Sequence, residues 1–284
     1  MDEKTIQEYR RMMREHRAAC KKTCGEEPSV PDVAVKDGAG DECCVTRESS
    51  EGQNPQPRLL LKAVKEDIET FISTWPGLLR NEIDFQINLG TYLINSLNAY
   101  DRVFFEYRVP KKWLGAEYVW NGNLRIDIVV VKDDEYLPVE LKYPTAQVRR
   151  KIKCFDEDLS KDGDKFEPVL KHQGAIDLVC YSFWKDVRRI EILKNKFRKV
   201  NGGLAVLLTN DMKYLTNSGE GPCCTEFLIS ENNPTKGPGR LAWRGAVKVA
   251  EDRAAIDLDN QYYIKWNDAR FDGVDFKYLI IEVI

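Results

Sequence analysis

Two acidic residues and one lysine on neighbouring segments carry the clearest chemical signal in the sequence. Asp127 interrupts the apolar run RIDIVVV, and Glu140 and Lys142 lie in the next such run, YLPVELKY. Because side chains alternate along a strand, Glu140 and Lys142 project from one face and Leu141 from the other. An aspartate in such a strand is disfavoured, and it costs free energy when it is buried without a partner.

A divalent cation would balance these charges. Two carboxylates that lie close together repel each other unless positive charge is placed between them. Mg²⁺ prefers oxygen ligands, takes few of them from the protein, and leaves its other positions to water and phosphate oxygens. The pattern therefore predicts that Asp127 and Glu140 hold Mg²⁺, or Mn²⁺ in its place, beside the ammonium group of Lys142. A solvated ladder of salt bridges is the other interpretation, but most other strand positions are apolar.

The elements that position these residues follow from hydrophobic spacing. Only residues 132–135 separate the two strands, which predicts a hairpin that brings Asp127 near Glu140. Residues 165–200 are predicted to be helical, in two pieces. The other predicted elements are helices near 59–71 and 81–98 and strands at 103–109 and 203–209.

In this order of elements the chain resembles the PD-(D/E)XK nuclease superfamily, over about residues 78–210. The resemblance rests on Glu82 in a helix, Asp127 in a strand, and the triplet ELK that begins at Glu140 in the next strand. Ile126 stands where the proline of the family name would be, and many members lack that proline. The resemblance implies an α/β fold with the restriction-endonuclease-like αβββαβ core and a mixed sheet. It also implies Mg²⁺-dependent cleavage of phosphodiester bonds.

The resemblance further implies a role for each residue of the motif. Asp127 and Glu140 would hold the metal, with the backbone carbonyl of Leu141 as a further ligand. Lys142 would orient or deprotonate the attacking water, and Glu82 would be the auxiliary acid that binds the metal or its waters. The implied substrate is nucleic acid, DNA by analogy with the family. A catalytically silent nucleic-acid-binding or protein-interaction module of the same fold is the alternative.

Basic residues after the second strand are the predicted contacts for nucleic acid. Residues 142–200 carry 15 basic and nine acidic side chains, although the whole chain has a formal net charge of −3. Cations that follow the ELK triplet closely would bind phosphates without reading base sequence. These predicted contacts are Arg149, Arg150, Lys151 and Lys153.

Two further groups of polar residues leave alternatives open. Gln173 and Asp177 are predicted to be neighbours on one face of the following helix, where related nucleases often place a polar residue near the scissile phosphate. A hydrogen bond on the helix surface is the other interpretation of Gln173. A second basic group, at residues 185–199, is equally compatible with phosphate binding and with a solvated helix face.

Cysteine content and the lengths of apolar runs limit the kinds of protein that the chain can be. The chain of 284 residues has eight cysteines, which is too sparse for a disulfide scaffold, and their spacing does not favour a zinc site. The absence of an apolar run of about 20 residues predicts no membrane contact. The absence of an apolar leader segment predicts a cytoplasmic protein.

Three regions are predicted along the chain. Residues 1–57 are predicted to be an N-terminal helix and flexible linker, residues 58–210 the nuclease-like core, and residues 211–284 a β-rich C-terminal extension packed on that core. The N-terminal helix leaves open a protein partner, and the sequence also leaves open a homodimer.

Overall fold

A six-stranded mixed sheet with helices against both faces organises the part of the chain that the structure describes. The computed structural model describes residues 59–150, 167–216, 223–245 and 248–284. The predicted N-terminal helix and linker lie outside these residues. Within these ranges, every helix is too short or too polar for a bilayer crossing.

The bounds of the elements are as follows. The helices are α1 (Leu59–Thr74), α2 (Glu82–Ile94), α3 (Ile176–Lys196), α4 (Lys213–Thr216) and α5 (Lys248–Glu251). The first six strands are β1 (Arg102–Val109), β2 (Leu124–Lys132), β3 (Glu135–Lys142), β4 (Val148–Arg150), β5 (Glu167–Leu170) and β6 (Gly203–Thr209). The last six are β7 (Thr235–Lys236), β8 (Gly239–Leu241), β9 (Ile256–Leu258), β10 (Tyr262–Tyr263), β11 (Trp266–Phe271) and β12 (Val274–Val283).

The main sheet has the strand order β1-β2-β3-β6-β12-β11. Strands β3 and β6 pair in parallel, whereas the other four neighbouring pairs of this sheet are antiparallel. A parallel pair needs a long crossover, and α3 lies within the segment that joins β3 to β6. The mixed sheet confirms the predicted α/β class. The C-terminal strands β11 and β12 extend this same sheet beyond β6.

Each face of the sheet has its own apolar core. On one face, Val64 and Ile68 of α1 and Phe85 of α2 pack against β2, β3 and β6, and all three are fully buried. On the other face, Trp184 and Ile190 of α3 are buried against the sheet and the C-terminal segments. Val64 and Ile68 are four residues apart, and Val187 and Ile190 of α3 are three apart, which is the amphipathic pattern expected of helices that cover a sheet.

The predicted hairpin is confirmed. Strands β2 and β3 pair antiparallel, and the turn between them places Asp133 and Asp134 at φ 50° and 65°. Two consecutive left-handed residues make a turn whose twist matches that of the flanking strands, and aspartate tolerates this conformation.

The prediction of a two-part helix over residues 165–200 is wrong in its first part. Glu167–Leu170 is a strand, β5, which pairs antiparallel with β4, and α3 begins only at Ile176. Pro168 cannot donate a backbone hydrogen bond, and it biases the preceding residue towards extended conformations. Gly174, at φ +88°, adopts a left-handed conformation just before α3, so a continuous helix is excluded.

One glycine fixes how closely α3 approaches the sheet. A Cβ atom on Gly203 would lie 2.5 Å from a side-chain methyl of Ile190 and 2.7 Å from the carbonyl oxygen of Pro138. We expect Gly203→Ala to lower the free energy of unfolding by about 2–3 kcal/mol, because overpacking against backbone cannot relax cheaply. Urea denaturation measures this change. Gly77→Ala is the control, since its Cβ would have its nearest contact at 3.6 Å. The expectation is contradicted if the two variants have the same free energy of unfolding.

Candidate active site

The two strands of the hairpin separate where the predicted acidic residues lie. The paired register of β2 and β3 runs from Lys132 opposite Glu135 to Ile128 opposite Val139, and it ends there. Asp127 follows directly on β2. Its Oδ2 accepts a hydrogen bond from the backbone N–H of Leu141 at 2.6 Å. The side chain of Asp127 therefore spans the opening between the strands.

Glu140 and Lys142 both face α3, as strand alternation predicts. Glu140 is buried, and its Oε1 lies 3.3 Å from a guanidinium nitrogen of Arg189. Lys142 Nζ lies 2.6 Å from Oδ2 of Asp186 and also donates to the carbonyl oxygen of Leu141 at 2.9 Å. The structure thus brings the predicted glutamate and lysine to one helix.

The first turn of α2 lies at the end of β3. Asn81 caps the helix by accepting from the backbone N–H of Asp84 at 2.8 Å. Glu82 Oε2 accepts from the backbone N–H of Tyr143 at 3.0 Å. One turn further on, Gln86 donates to the carbonyl oxygen of Asp127 at 2.7 Å. Helix α2 therefore touches both strands of the hairpin and places Glu82 next to Lys142.

Two residues of α3 belong to this site but were not predicted. Asp186 is buried, and its Oδ1 accepts from Arg189 at 2.7 Å, an i,i+3 contact within the helix. A sequence signal for them exists, because Asp186 lies between Phe183 and Ile190 in the apolar stripe of the helix. A charged residue within such a stripe indicates a buried polar contact rather than a solvated face.

These side chains form what we call the acidic cluster. It holds more negative than positive charge when all its groups are ionised. Its four carboxylates and two cations are Glu82, Asp127, Glu140, Asp186, Lys142 and Arg189. The net charge of two negative units would be neutralised by one divalent cation.

Burial and mutual repulsion raise the pKa of two of these carboxylates. The pKa of Asp127 is raised to about 6, mainly by burial and also by Asp186 and Glu82, although Lys142 and the N–H of Leu141 act against this rise. Burial also raises the pKa of Glu140 well above its usual value, and Asp186 adds to this because it lies close by. Both carboxylates are therefore short of compensating positive charge.

The pKa values of Lys142 and Asp186 are shifted in the directions that favour their ionised forms. Burial lowers the pKa of Lys142, but Asp186, Glu82 and the other carboxylates outweigh that effect and raise it overall. Burial raises the pKa of Asp186, but the nearby Lys142 and Arg189 bring it below its usual value. The ionised form of Lys142 is therefore favoured while this ion pair is formed.

The oxygen atoms of the cluster fit the chemistry of Mg²⁺. Within the described ranges, no three or more His, Cys, Asp and Glu side chains are grouped so that they could hold a metal ion. The predicted ligands are Asp127, Glu140 and the carbonyl of Leu141, with Glu82 bound to the metal or to its waters. Glu140 Oε1 is buried and makes no hydrogen bond, although Arg189 lies 3.3 Å away, so a lone pair remains for a cation. Carboxylate and carbonyl oxygens are the ligands that Mg²⁺ prefers, with water in the remaining positions.

Gln173 does not lie on the predicted helix. It forms an isolated bridge with Thr145, to which its backbone N–H donates at 2.8 Å, and α3 begins three residues later. The prediction that Gln173 and Asp177 share a helix face is therefore wrong, because Gly174 turns the chain between them. Gln173 is instead tied to the segment that follows β3.

The first basic group is only partly described. Arg149 is exposed in β4 and donates to the side chain of Gln147 at 3.2 Å. Arg150 is paired with Asp272, which lies in the turn between β11 and β12. Lys151 and Lys153 lie outside the described residues. Arg149 is thus the described member of this group that lacks an acidic partner.

Two arginines of the second basic group have structural roles. Arg188 is bonded to Glu191 at 3.0 Å and to Asp259 at 2.6 Å, so it joins α3 to the C-terminal region. Arg189 belongs to the acidic cluster. Neither is a solvated cation available for a phosphate.

Comparisons with known proteins give no assignment for this site. A scan against models of protein families, a search of curated proteins and a search of solved structures each found no match. The class that the structure defines is a mixed α/β protein with a buried, negatively charged cluster at an opening between two strands. Since a fold does not determine a function, the argument for function starts from this cluster.

Proposed function

We propose that the chain is a Mg²⁺-dependent nuclease of the PD-(D/E)XK type that hydrolyses phosphodiester bonds of nucleic acid, DNA in particular. The observation that carries the proposal is the convergence of Asp127, Glu140 and Lys142 where β2 and β3 separate. The order of α2, β1, β2, β3, α3 and β6 along the chain also supports it, since it is the αβββαβ order of that superfamily.

Each residue of the motif has a part in this proposal. Asp127, Glu140 and the carbonyl of Leu141 would hold the cation, with Glu82 at the edge of the cluster to bind its waters. A bound Mg²⁺ lowers the pKa of a coordinated water and stabilises negative charge on phosphoryl oxygens. Lys142, held protonated by Asp186, orients the attacking water and donates a hydrogen bond to the phosphate.

One observation favours a second candidate, a catalytically silent module that binds nucleic acid. Arg189 lies 3.3 Å from Glu140, and Lys142 is paired with Asp186, so two of the carboxylates already have cationic neighbours. A silent module would need no further charge beyond these pairs. The raised pKa values of Asp127 and Glu140 favour the nuclease, because these pairs leave negative charge uncompensated.

Metal binding provides the first test. We expect Mg²⁺ and Mn²⁺ to raise the melting temperature of the full chain, because a ligand that binds only the folded state stabilises it, by about 2.7 kcal/mol at 100 times its dissociation constant. Thermal unfolding with and without EDTA measures this shift, and plasmid cleavage is assayed on the same samples.

The matched control is Asp268→Asn, which removes a carboxylate that is 86% exposed and lies outside the acidic cluster. It should keep the metal-dependent shift, whereas Asp127→Asn should lose it. DNA binding that survives EDTA, without cleavage or a thermal shift in either metal, would establish the silent module instead.

A further inference from the structure

A cavity lies beside the acidic cluster. It has a volume of about 390 Å³ and lies between β1, β2, β3 and the C-terminal end of α3. Ile126 lines it one residue before Asp127, and Pro138 lines it two residues before Glu140. Neither acidic residue lines the cavity, so it is a neighbouring site of ordinary ligand-binding size.

Four aromatic rings contribute to its wall. Trp113 is 58% exposed, which is unusual for so large an apolar side chain, and the other three rings are half-buried. Unpaired bases stack on aromatic rings of this kind, and each stack is sequence-tolerant because every base has a π-face. The rings that define this aromatic pocket are Tyr107, Trp113, Tyr136 and Phe197.

Two arginines of the wall have no acidic partner among the described residues. Arg108 on β1 and Arg198 after α3 are both exposed and make no ion pair within that part of the chain. The two lysines of the wall differ from them. Lys196 lies 3.2 Å from Glu117, and Lys199 is paired with Asp134. The pocket therefore offers two guanidinium groups to an anion.

The segment that carries Arg198 is fixed in place. The backbone N–H of Val200 donates to the carbonyl of Phe197 at 2.9 Å, and the N–H of Tyr136 donates to the carbonyl of Lys199 at 2.8 Å. These bonds anchor the turn after α3 to the first residues of β3. Binding at this turn would therefore require little ordering of the backbone.

We propose that the aromatic pocket binds one unpaired nucleotide of a nucleic-acid strand, with its base among the rings and its phosphate at Arg108 and Arg198. Four residues of α3, about 6 Å of helix rise, separate Arg189 of the acidic cluster from Leu193 of the pocket wall. Neighbouring nucleotides of one strand reach both sites over this distance. The inference rests on the proposed function, because it assumes that the same strand also reaches the acidic cluster. It implies that the substrate is single-stranded or locally unpaired nucleic acid.

Fluorescence anisotropy of labelled oligodeoxynucleotides in EDTA tests the pocket without cleavage. We expect the full chain to bind a mixed-sequence single strand more tightly than its duplex. Trp113→Ala should weaken single-strand binding by about tenfold or more, the usual range for a lost base stack. Arg198→Gln should also weaken it and reduce the salt dependence by about one counterion. Arg270→Gln is the control of equal charge change, since Arg270 is exposed on β11, outside the pocket.

The outcomes separate this inference from the proposed function. The proposed role of the pocket is contradicted if Trp113→Ala and Arg198→Gln bind single strands as tightly as the unmodified chain does. It is also contradicted if the chain binds duplex more tightly than single strand. Both conclusions hold even if Mg²⁺-dependent cleavage is present. Weakened binding in these variants without cleavage in any metal supports the pocket and contradicts the nuclease. If a free mononucleotide displaces the oligonucleotide with equal affinity, the pocket is a small-molecule site, and the proposal that it binds part of a nucleic-acid strand is contradicted.

Discussion

Replacement of Asp127 by asparagine or of Glu140 by glutamine is expected to abolish metal-dependent cleavage. Each change removes a charged oxygen donor while it keeps the shape of the side chain. Loss of an outer partner of a metal ligand already costs about 10–100-fold in affinity or activity, so loss of a ligand itself should exceed about 100-fold. Initial rates of plasmid cleavage at saturating Mg²⁺ measure the effect.

The same substitution of Glu140 should stabilise the metal-free protein. Burial and the nearby Asp186 raise the pKa of Glu140 in the folded chain. A carboxyl group with a higher pKa in the folded than in the unfolded state binds protons more tightly when folded, so its ionised form costs stability at neutral pH. We therefore expect Glu140→Gln to raise the free energy of unfolding.

Urea denaturation in EDTA, at neutral pH, checks this sign. Glu66→Gln is the matched control, because Glu66 is exposed on α1 and its pairing with Lys62 at 3.8 Å is solvated. The control should change stability by less than about 0.5 kcal/mol. A stabilised and inactive Glu140→Gln variant is the result expected of a carboxylate whose ionised form costs stability and is needed for activity. A destabilised variant with full activity would contradict both the site and its electrostatics.

The local parts of this site could be predicted because their signals lie within a few residues of one another. The alternation of ELK fixes the face of Glu140 and Lys142, and a turn of four residues fixes the hairpin. The apolar run at Gly203–Thr209 is a strand with the predicted bounds, since every residue in it is buried. Period and turn chemistry are properties of short segments, and tertiary packing preserved them here.

The partners on α3 could not be predicted in this way. Asp186 and Arg189 lie more than 40 residues beyond Lys142 and Glu140, so their contacts depend on how the helix packs across the sheet. The charged segment around them was equally compatible with phosphate binding and with a solvated helix face, and neither interpretation predicts buried ion pairs. Packing of α3 instead turned two of these charges inward, where Asp186 pairs with Lys142 and Arg189 lies next to Glu140.

The aromatic pocket was equally hidden in the sequence. Its wall combines residues from β1, the segment after β1, β3 and the turn after α3, which are distant along the chain. Trp113 and Phe197 carry no sequence feature that separates a ring on a cavity wall from a ring in the core. That Arg108 and Arg198 have no acidic partner among the described residues is also a tertiary property, since the nearby Lys196 and Lys199 are paired with Glu117 and Asp134.

Substitution of Lys142 by methionine is expected to destabilise the chain strongly, in contrast to the effect at Glu140. Lys142 Nζ lies 2.6 Å from Asp186, whose side chain is only 3% exposed. Removal of one partner of a buried ion pair leaves an uncompensated charge and costs about 3–5 kcal/mol. Urea denaturation of Lys142→Met, Asp186→Leu and the double variant measures this cost and the coupling between the two residues.

The double variant separates charge from packing. Replacement of both partners by apolar residues of similar size removes the unpaired charge, so Lys142→Met with Asp186→Leu should recover most of the loss. Lys277→Met is the matched control, because Lys277 pairs with the exposed Asp268 at 2.7 Å and solvated pairs contribute at most about 1 kcal/mol. Additive single effects would show that Lys142 and Asp186 do not interact. Cleavage should be absent from the double variant, since a refolded site without an ammonium group still lacks the donor that orients water.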